Sequence, residues 1–201
     1  MKPKIAILDY GIGNLRSVER GLAYGGAAAV ITSDAEVIES SDALVLPGVG
    51  AFCDAMKQLQ KFEKILKKNK KPVLGICLGM QLLFTESEED GLHRGLNLMQ
   101  GRVVKLPKSV KIPQMGWNSI DIKRKGALLE GIKDGEYFYF VHSYYAAPEE
   151  DVTIATAEYG VKFAAVVEKG NIYAAQFHPE KSGAAGLQVL KNFIDAVKGF
   201  I

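Results

Sequence analysis

The segment Gly75-Ile76-Cys77-Leu78-Gly79 sets a thiol between two glycines, where the β-type run Pro72–Ile76 gives way to a helical stretch through Met80, Leu82, Leu83 and Phe84. A nucleophile on so tight a strand-to-helix turn takes strained backbone angles, and the flanking glycines remove side chains that would collide with it. The turn exposes the thiol at the amino end of the helix, where free amides favour the thiolate, the reactive form. Cys77 is therefore the candidate nucleophile. Cys53, the other cysteine, lies on an expected helix after Gly50 with no such elbow and reads as a small apolar residue.

A thiolate needs a proton shuttle, and the histidines are His93, His142 and His178. His178 stands in Gln176-Phe177-His178-Pro179-Glu180. Proline disfavours helical angles at the residue before it, so an extended chain at His178 is expected to send Glu180 to the same side as the imidazole. A carboxylate bonded to one ring nitrogen fixes the tautomer and leaves the other nitrogen for the sulfur. Cys77, His178 and Glu180 thus make a candidate triad for acyl transfer.

Acyl transfer also creates an oxyanion that needs preorganised donors. Pro47-Gly48-Val49-Gly50 follows a strand on the same side of the expected sheet. The amides of Gly48, Val49 and Gly50, with that of Leu78 at the elbow, are the candidate donors, and the glycines would let the peptide flip between donating and non-donating arrangements. Gln81 lies one helical turn beyond Cys77 on the same face, placed to hold a polar substrate or to serve as a buried hydrogen-bonding residue. The turn Gly11-Ile12-Gly13 has part of a dinucleotide-binding pattern, but Arg16 stands where the third glycine would be. No P-loop lysine signature, Cys-x-x-Cys pair or zinc-type histidine spacing occurs in the sequence, so neither a cofactor nor a metal is expected.

These groups must be positioned by a fold. The chain has 201 residues, 48% hydrophobic and 24% charged, enough for one domain, 1–201, with a large core. A formal charge of +2 gives no electrostatic reason to expect nucleic acid or an anionic membrane. The longest apolar stretch, Val73 to Phe84, is too short to span a bilayer, and the run at Ile5–Leu8 is too short for a signal peptide. With few cysteines, these features read as a cytoplasmic protein in a reducing compartment. Strands are expected at Lys4–Leu8, Ala28–Thr32, Ala43–Leu46 and Pro72–Ile76, and a helix over Ala51–Lys68, ending in a solvated lysine cluster. The second half turns to strands at Arg102–Leu106, Ser119–Ile122, Tyr137–Val141, Thr153–Glu158, Ala164–Glu168 and Ile172–Gln176, then a helix over Gly183–Lys198 with an apolar stripe of Leu187, Leu190, Ile194 and Val197. The fold class expected is α/β: a mixed, mainly parallel sheet flanked by helices with an antiparallel extension, its functional groups at the carboxyl ends of the parallel strands.

The Gly-x-Cys-x-Gly elbow and the C-terminal His-Pro-Glu resemble those of the class I, triad-type glutamine amidotransferases. Within that family the blocks Asp9 to Leu15, Leu46 to Phe52, Gly75 to Phe84, Met115 to Asn118, Tyr139 to Tyr144 and Gln176 to Ser182 are similar to the glutaminase subunits of imidazole glycerol phosphate synthases. The resemblance implies that L-glutamine is hydrolysed through a Cys77 thioester and that ammonia passes to a (β/α)8-barrel cyclase subunit in a 1:1 heterodimer. It also implies that Gly50, Leu78, Gln81, Glu89, Ser143 and Tyr144 line the glutamine pocket. Asn14, Trp117, Asn118 and Lys181 would face the cyclase, and the Gly48–Val49 peptide would turn toward the oxyanion when the cyclase holds its ligand. The triad alone is equally compatible with a free-standing cysteine hydrolase or the glutaminase subunit of another amidotransferase. A non-catalytic regulatory module on the same fold is a third reading.

Overall fold

The computed structural model describes residues 2–201. Its first half lays down β1 (Lys4–Leu8), α1 (Leu15–Tyr24), β2 (Ala28–Thr32), α2 (Ala35–Glu39), β3 (Ala43–Leu46), α3 (Phe52–Leu59), α4 (Glu63–Lys68), β4 (Val73–Ile76) and α5 (Leu78–Leu82). Three short strands follow, β5 (Glu86–Ser87), β6 (His93–Arg94) and β7 (Gly101–Lys105). The remainder comprises β8 (Gln114–Ser119), β9 (Asp121–Ile122), β10 (Tyr137–His142), β11 (Tyr144–Pro148), β12 (Thr153–Glu158), β13 (Lys162–Lys169), β14 (Ile172–Ala175) and α6 (Gly183–Phe200).

The main sheet has the order β2-β1-β3-β4-β14-β13-β12-β9. It is parallel from β2 through β14, and β13, β12 and β9 continue it antiparallel, so the expected fold class is the observed one. Beside it lie a β10-β8 ribbon and a small sheet ordered β11-β7-β5-β6. Successive side chains of a strand point to opposite faces, and both faces here are covered. Ile5 and Ile7 of β1 pack with Val18 and Leu22 of α1 and with Leu190 and Ile194 of α6. Ala6 and Leu8 pack with Phe52, Ala55 and Leu59 of α3 and with Met80 and Leu82 of α5. Each fully buried Leu or Ile in such a layer contributes about 2 kcal/mol. Among the described residues, no helix is long and apolar enough to cross a membrane.

Several boundaries differ from expectation. The helix expected over Ala51–Lys68 tightens to a 3-10 turn at Gln60–Phe62, which brings Leu59, Phe62 and Leu66 all into the core. The strand expected at Ser119–Ile122 is cut at Ile120, which turns inward as the chain passes from the β8 ribbon to the main sheet. In α6 the buried stripe includes Val189 and Phe193, while Leu187 is half-buried. Strand β11 pairs with β7 across distant sequence, a pairing that local periodicity does not signal. In the basic cluster, Lys67 pairs with Glu63 at 2.6 Å, and the ammonium of Lys71 donates to the carbonyls of Glu39 and Ser41 at the end of α2.

Candidate active site

Cys77 follows β4 and caps the short helix α5 with φ 53° and ψ −108°, a conformation that non-glycine residues rarely take. It is pinned there: its amide donates to the carbonyl of Ala175 at 2.8 Å, and its carbonyl accepts from Met80 at 3.0 Å. The flanking glycines have a different task from the one expected. A Cβ on Gly75 would sit 2.9 Å from the Gly79 carbonyl, and one on Gly79 would collide with the carbonyl of Leu46 on β3. They let the elbow close on itself and on the neighbouring strand rather than clearing space around the thiol. The helix also ends at Leu82, short of the expected Leu83 and Phe84.

Strand β14 pairs in parallel with β4, Ala174 opposite Gly75 and Ala175 opposite Ile76. The chain just past β14 is thereby delivered beside the chain just past β4, which brings His178 to Cys77. His178 is extended, at φ −98° and ψ 95°, as expected, but Pro179–Lys181 then forms a 3-10 turn. It is this turn, rather than continued extension, that swings the Glu180 carboxylate to 2.9 Å from Nδ1. Both side chains are almost wholly buried. Burial alone would lower the basicity of the imidazole, but Cys77 and Glu180 beside it reverse this and push its pKa up to about 10. The opposite nitrogen, Nε2, is buried and has no hydrogen bond of ordinary geometry, which leaves it to the sulfur.

The sulfur opens onto a cavity of about 280 Å³ whose wall includes Val49, Gly50, Leu78, Gln81, Glu89, Ser143 and Tyr144. All six residues expected around the substrate are therefore brought together. Pro113, Val141 and His142 complete the wall. Gln81 donates from Nε2 to the Tyr144 carbonyl at 2.8 Å and to Gln176 Oε1 at 3.2 Å. Only its carbonyl oxygen then remains for a ligand. Glu89 accepts at 2.7 Å from the amide of Phe52, the first residue of α3, so the carboxylate is held across the mouth of the cavity by a helix end.

The amides of residues 48–50 donate to no main-chain carbonyl among the described residues, and neither does that of Leu78. These are the four expected oxyanion donors. Gly50 has φ +109°, and a Cβ on Gly48 would lie 2.8 Å from the Tyr10 hydroxyl and 2.9 Å from Leu78 Cβ, so both positions require glycine. Tyr10 is buried, and its hydroxyl donates to the carbonyl of Pro47. Burial, and then the neighbouring Cys77, raise its pKa far above the ordinary phenol range, so it stays a donor.

Asn14 precedes α1 without capping it by a side-chain bond. Trp117 is 57% exposed and stands edge-on to Tyr139, over whose ring Lys181 Nζ lies at 5.8 Å. Asn118 donates to the Glu158 carbonyl at 2.9 Å, tying β8 to β12. Of these four, Trp117 and Lys181 form an exposed patch directly behind the His178 loop, whereas Asn118 is bonded within its own sheets.

Sequence reasoning missed four residues that shape the site. Tyr10 sits just before the Gly11-Ile12-Gly13 turn, and its partner Pro47 lies 37 residues away. Gln176 and Ser182 flank the His-Pro-Glu segment and gave no signal apart from it. His142 is buried, donates from Nδ1 to the Tyr144 carbonyl at 2.9 Å, and has its pKa lowered to about 4 by burial, the Tyr144 bond and His178 acting in opposite senses. Its neutral ring faces the cavity with Nε2 unpartnered.

Residues 6–197 match the glutamine amidotransferase class-I family. The imidazole glycerol phosphate synthase subunit HisH of Methanothermobacter thermautotrophicus is 54% identical, covering 96% of this chain and 99% of that protein. The subunit of the same name from Caldanaerobacter subterraneus is 54% identical, covering 96% and 98%. Among solved structures, a Thermoplasma acidophilum protein assigned to a GMP synthase superposes with a TM-score of 0.77 at 22% identity, over 100% of this chain and 96% of that one. PurLQS from Thermotoga maritima gives 0.69 at 18% identity, over 100% and 99%, so these two bear on the fold alone. A family match across nearly the whole length, joined to relatives at half identity or better, means that the chain belongs to the class-I glutamine amidotransferases and, among them, to the imidazole glycerol phosphate synthase HisH subunits.

Proposed function

We propose that this chain is the glutaminase of an imidazole glycerol phosphate synthase, hydrolysing L-glutamine to L-glutamate and ammonia and delivering the ammonia to a cyclase subunit for histidine biosynthesis. The observation that carries the reading is the buried His178–Glu180 pair at 2.9 Å, set beside Cys77 at the wall of an amino-acid-sized cavity. In this mechanism the Cys77 sulfur attacks the side-chain amide carbon, and the oxyanion is met by amides from Leu78 and the 48–50 turn. Imidazolium of His178 gives its Nε2 proton to the departing nitrogen, which leaves as ammonia. The neutral ring then takes a proton from water, hydroxide attacks the thioester, and glutamate departs as the sulfur anion is restored. Glu180 keeps the ring oriented and supports its positive charge.

The partner in this reading is a (β/α)8 cyclase in a 1:1 complex, docked over Asn14, Trp117, Asn118 and Lys181. The whole chain acts as one domain in the cytoplasm. The Gly48–Val49 peptide serves as the gate, its amide turned to the oxyanion when the cyclase is liganded. One missing donor costs about 10²- to 10³-fold in turnover, enough to silence the site when no acceptor is ready. The test is glutamate release by the chain alone, then with the cyclase and its ribonucleotide ligand, and with Cys77→Ser. Low activity alone, strong stimulation by the liganded partner and none with the serine variant are expected. Equal rates with and without partner would remove the gate, and an active Cys77→Ser would remove the nucleophile.

A further inference from the structure

Gln176 is completely buried, one residue past β14, and its carboxamide is held at both ends. Nε2 donates to Cys77 Sγ at 3.6 Å, and Oε1 accepts from Gln81 Nε2 at 3.2 Å. Gln81 is in turn anchored by the Tyr144 carbonyl at 2.8 Å, so the amide of Gln176 cannot turn over without breaking the bond from Gln81. On its other side the sulfur meets the carbonyl of Val141 at 3.7 Å, an acceptor that suits the neutral thiol and repels the anion. A donor and an acceptor therefore compete for one sulfur.

We propose that Gln176 is a further catalytic residue of the glutaminase, a neutral hydrogen-bond donor that holds the Cys77 sulfur as thiolate and aims it at the cavity. A hydrogen bond to the charged form of a group favours that form, and a thiolate is a far better acceptor than a thiol. The bond from Gln81 onto Oε1 polarises the Gln176 amide and strengthens its donation to sulfur. Gln81 has its carbonyl oxygen left for the cavity, so an N–H of bound substrate polarises the same chain. Occupancy of the pocket and the charge on the nucleophile are thereby linked through two side-chain amides, with no proton transferred between them. This inference rests on the nucleophile assignment in the preceding subsection.

The test uses the full chain with Cys53→Ser, leaving one thiol, and measures iodoacetamide alkylation of Cys77 against pH. The other titrating groups around the sulfur are His178, with Glu180 behind it, Tyr10, and across the cavity His142, Glu89 and Tyr144, and all are retained. With Gln176→Leu, alkylation near neutral pH is expected to slow about tenfold and to recover at high pH. With the cyclase and its ligand present, kcat falls by about the same factor while KM holds within about twofold. A rate lowered equally at every pH means a structural role and overturns the proposal, as does an unchanged profile. Gln176→Asn keeps the polarity but withdraws the amide from the sulfur, and it carries the same expectation should the leucine variant fail to fold. If Cys77→Ser kept full glutaminase activity, the glutaminase mechanism would fall, whereas the alkylation profile would still report on Gln176.

Discussion

The main-chain amide of His178 donates to the carbonyl of Tyr139 at 2.9 Å. Ser182 closes a ring around that bond, accepting from the Tyr139 amide at 2.9 Å and donating to the His178 carbonyl at 2.7 Å. Tyr139 lies opposite Trp117 in the β10-β8 ribbon, so the exposed aromatic patch and the candidate general base share one hydrogen-bonded frame. A continuous run of main-chain hydrogen bonds thus joins the ribbon to the residue that carries the imidazole.

Ser182→Ala removes a donor and an acceptor that serve buried main-chain groups. A loss of about 1–3 kcal/mol in stability is expected. Partner-stimulated turnover should fall about tenfold with little change in KM, because the ring is mispositioned rather than the pocket altered. Thermal unfolding and steady-state glutamate release read the two effects, and an unchanged kcat would show that the frame does not position His178.

Glu180→Gln keeps the shape of the His178 partner and removes its charge. Imidazolium then forms less readily, so kcat should drop about 10²-fold or more. Full activity in this variant would leave Glu180 as a structural residue only.

Two histidines give stability opposite dependences on pH. His142 has a folded pKa near 4 against an ordinary 6.5, so the unfolded chain binds the proton first as pH falls. Stability is retained above pH 6.5 and declines by roughly 3 kcal/mol as pH drops from there to about 4. His178, raised to about 10, contributes fully below 6.5 and loses its contribution as pH rises through that folded value. Urea unfolding of the wild type and of His142→Gln at pH 7 and pH 4.5 isolates the first effect. Identical acid losses in the two proteins would assign it elsewhere.

Gly48→Ala places a methyl group against the Tyr10 hydroxyl and Leu78 Cβ. The turn carrying the candidate oxyanion donors must shift, and glutaminase activity with liganded cyclase should fall at least about tenfold. Tyr10→Phe leaves the buried Pro47 carbonyl without its donor and should lower stability by about 1 kcal/mol. Wild-type behaviour of both would mean that the turn is not held by Tyr10.

The parallel half of the fold was legible because its strands are short apolar runs between amphipathic helices, and the elbow at Cys77 and the extended backbone at His178 because glycine and proline limit the chain there. What escaped was non-local. Strand β11 exists through pairing with β7, and the 3-10 turn that delivers Glu180 is set by Ser182 folding back on His178. Gln176 and Tyr10 matter through groups 99 and 37 residues away, and nothing in a local window marks such contacts.

The pairing of β14 with β4 also orders events during translation. A ribosome finishes the cysteine about a hundred codons before the histidine, and the strand that brings the two together is made only just before the histidine. A growing polypeptide, or one cut before β14, therefore carries Cys77 with no His178 beside it.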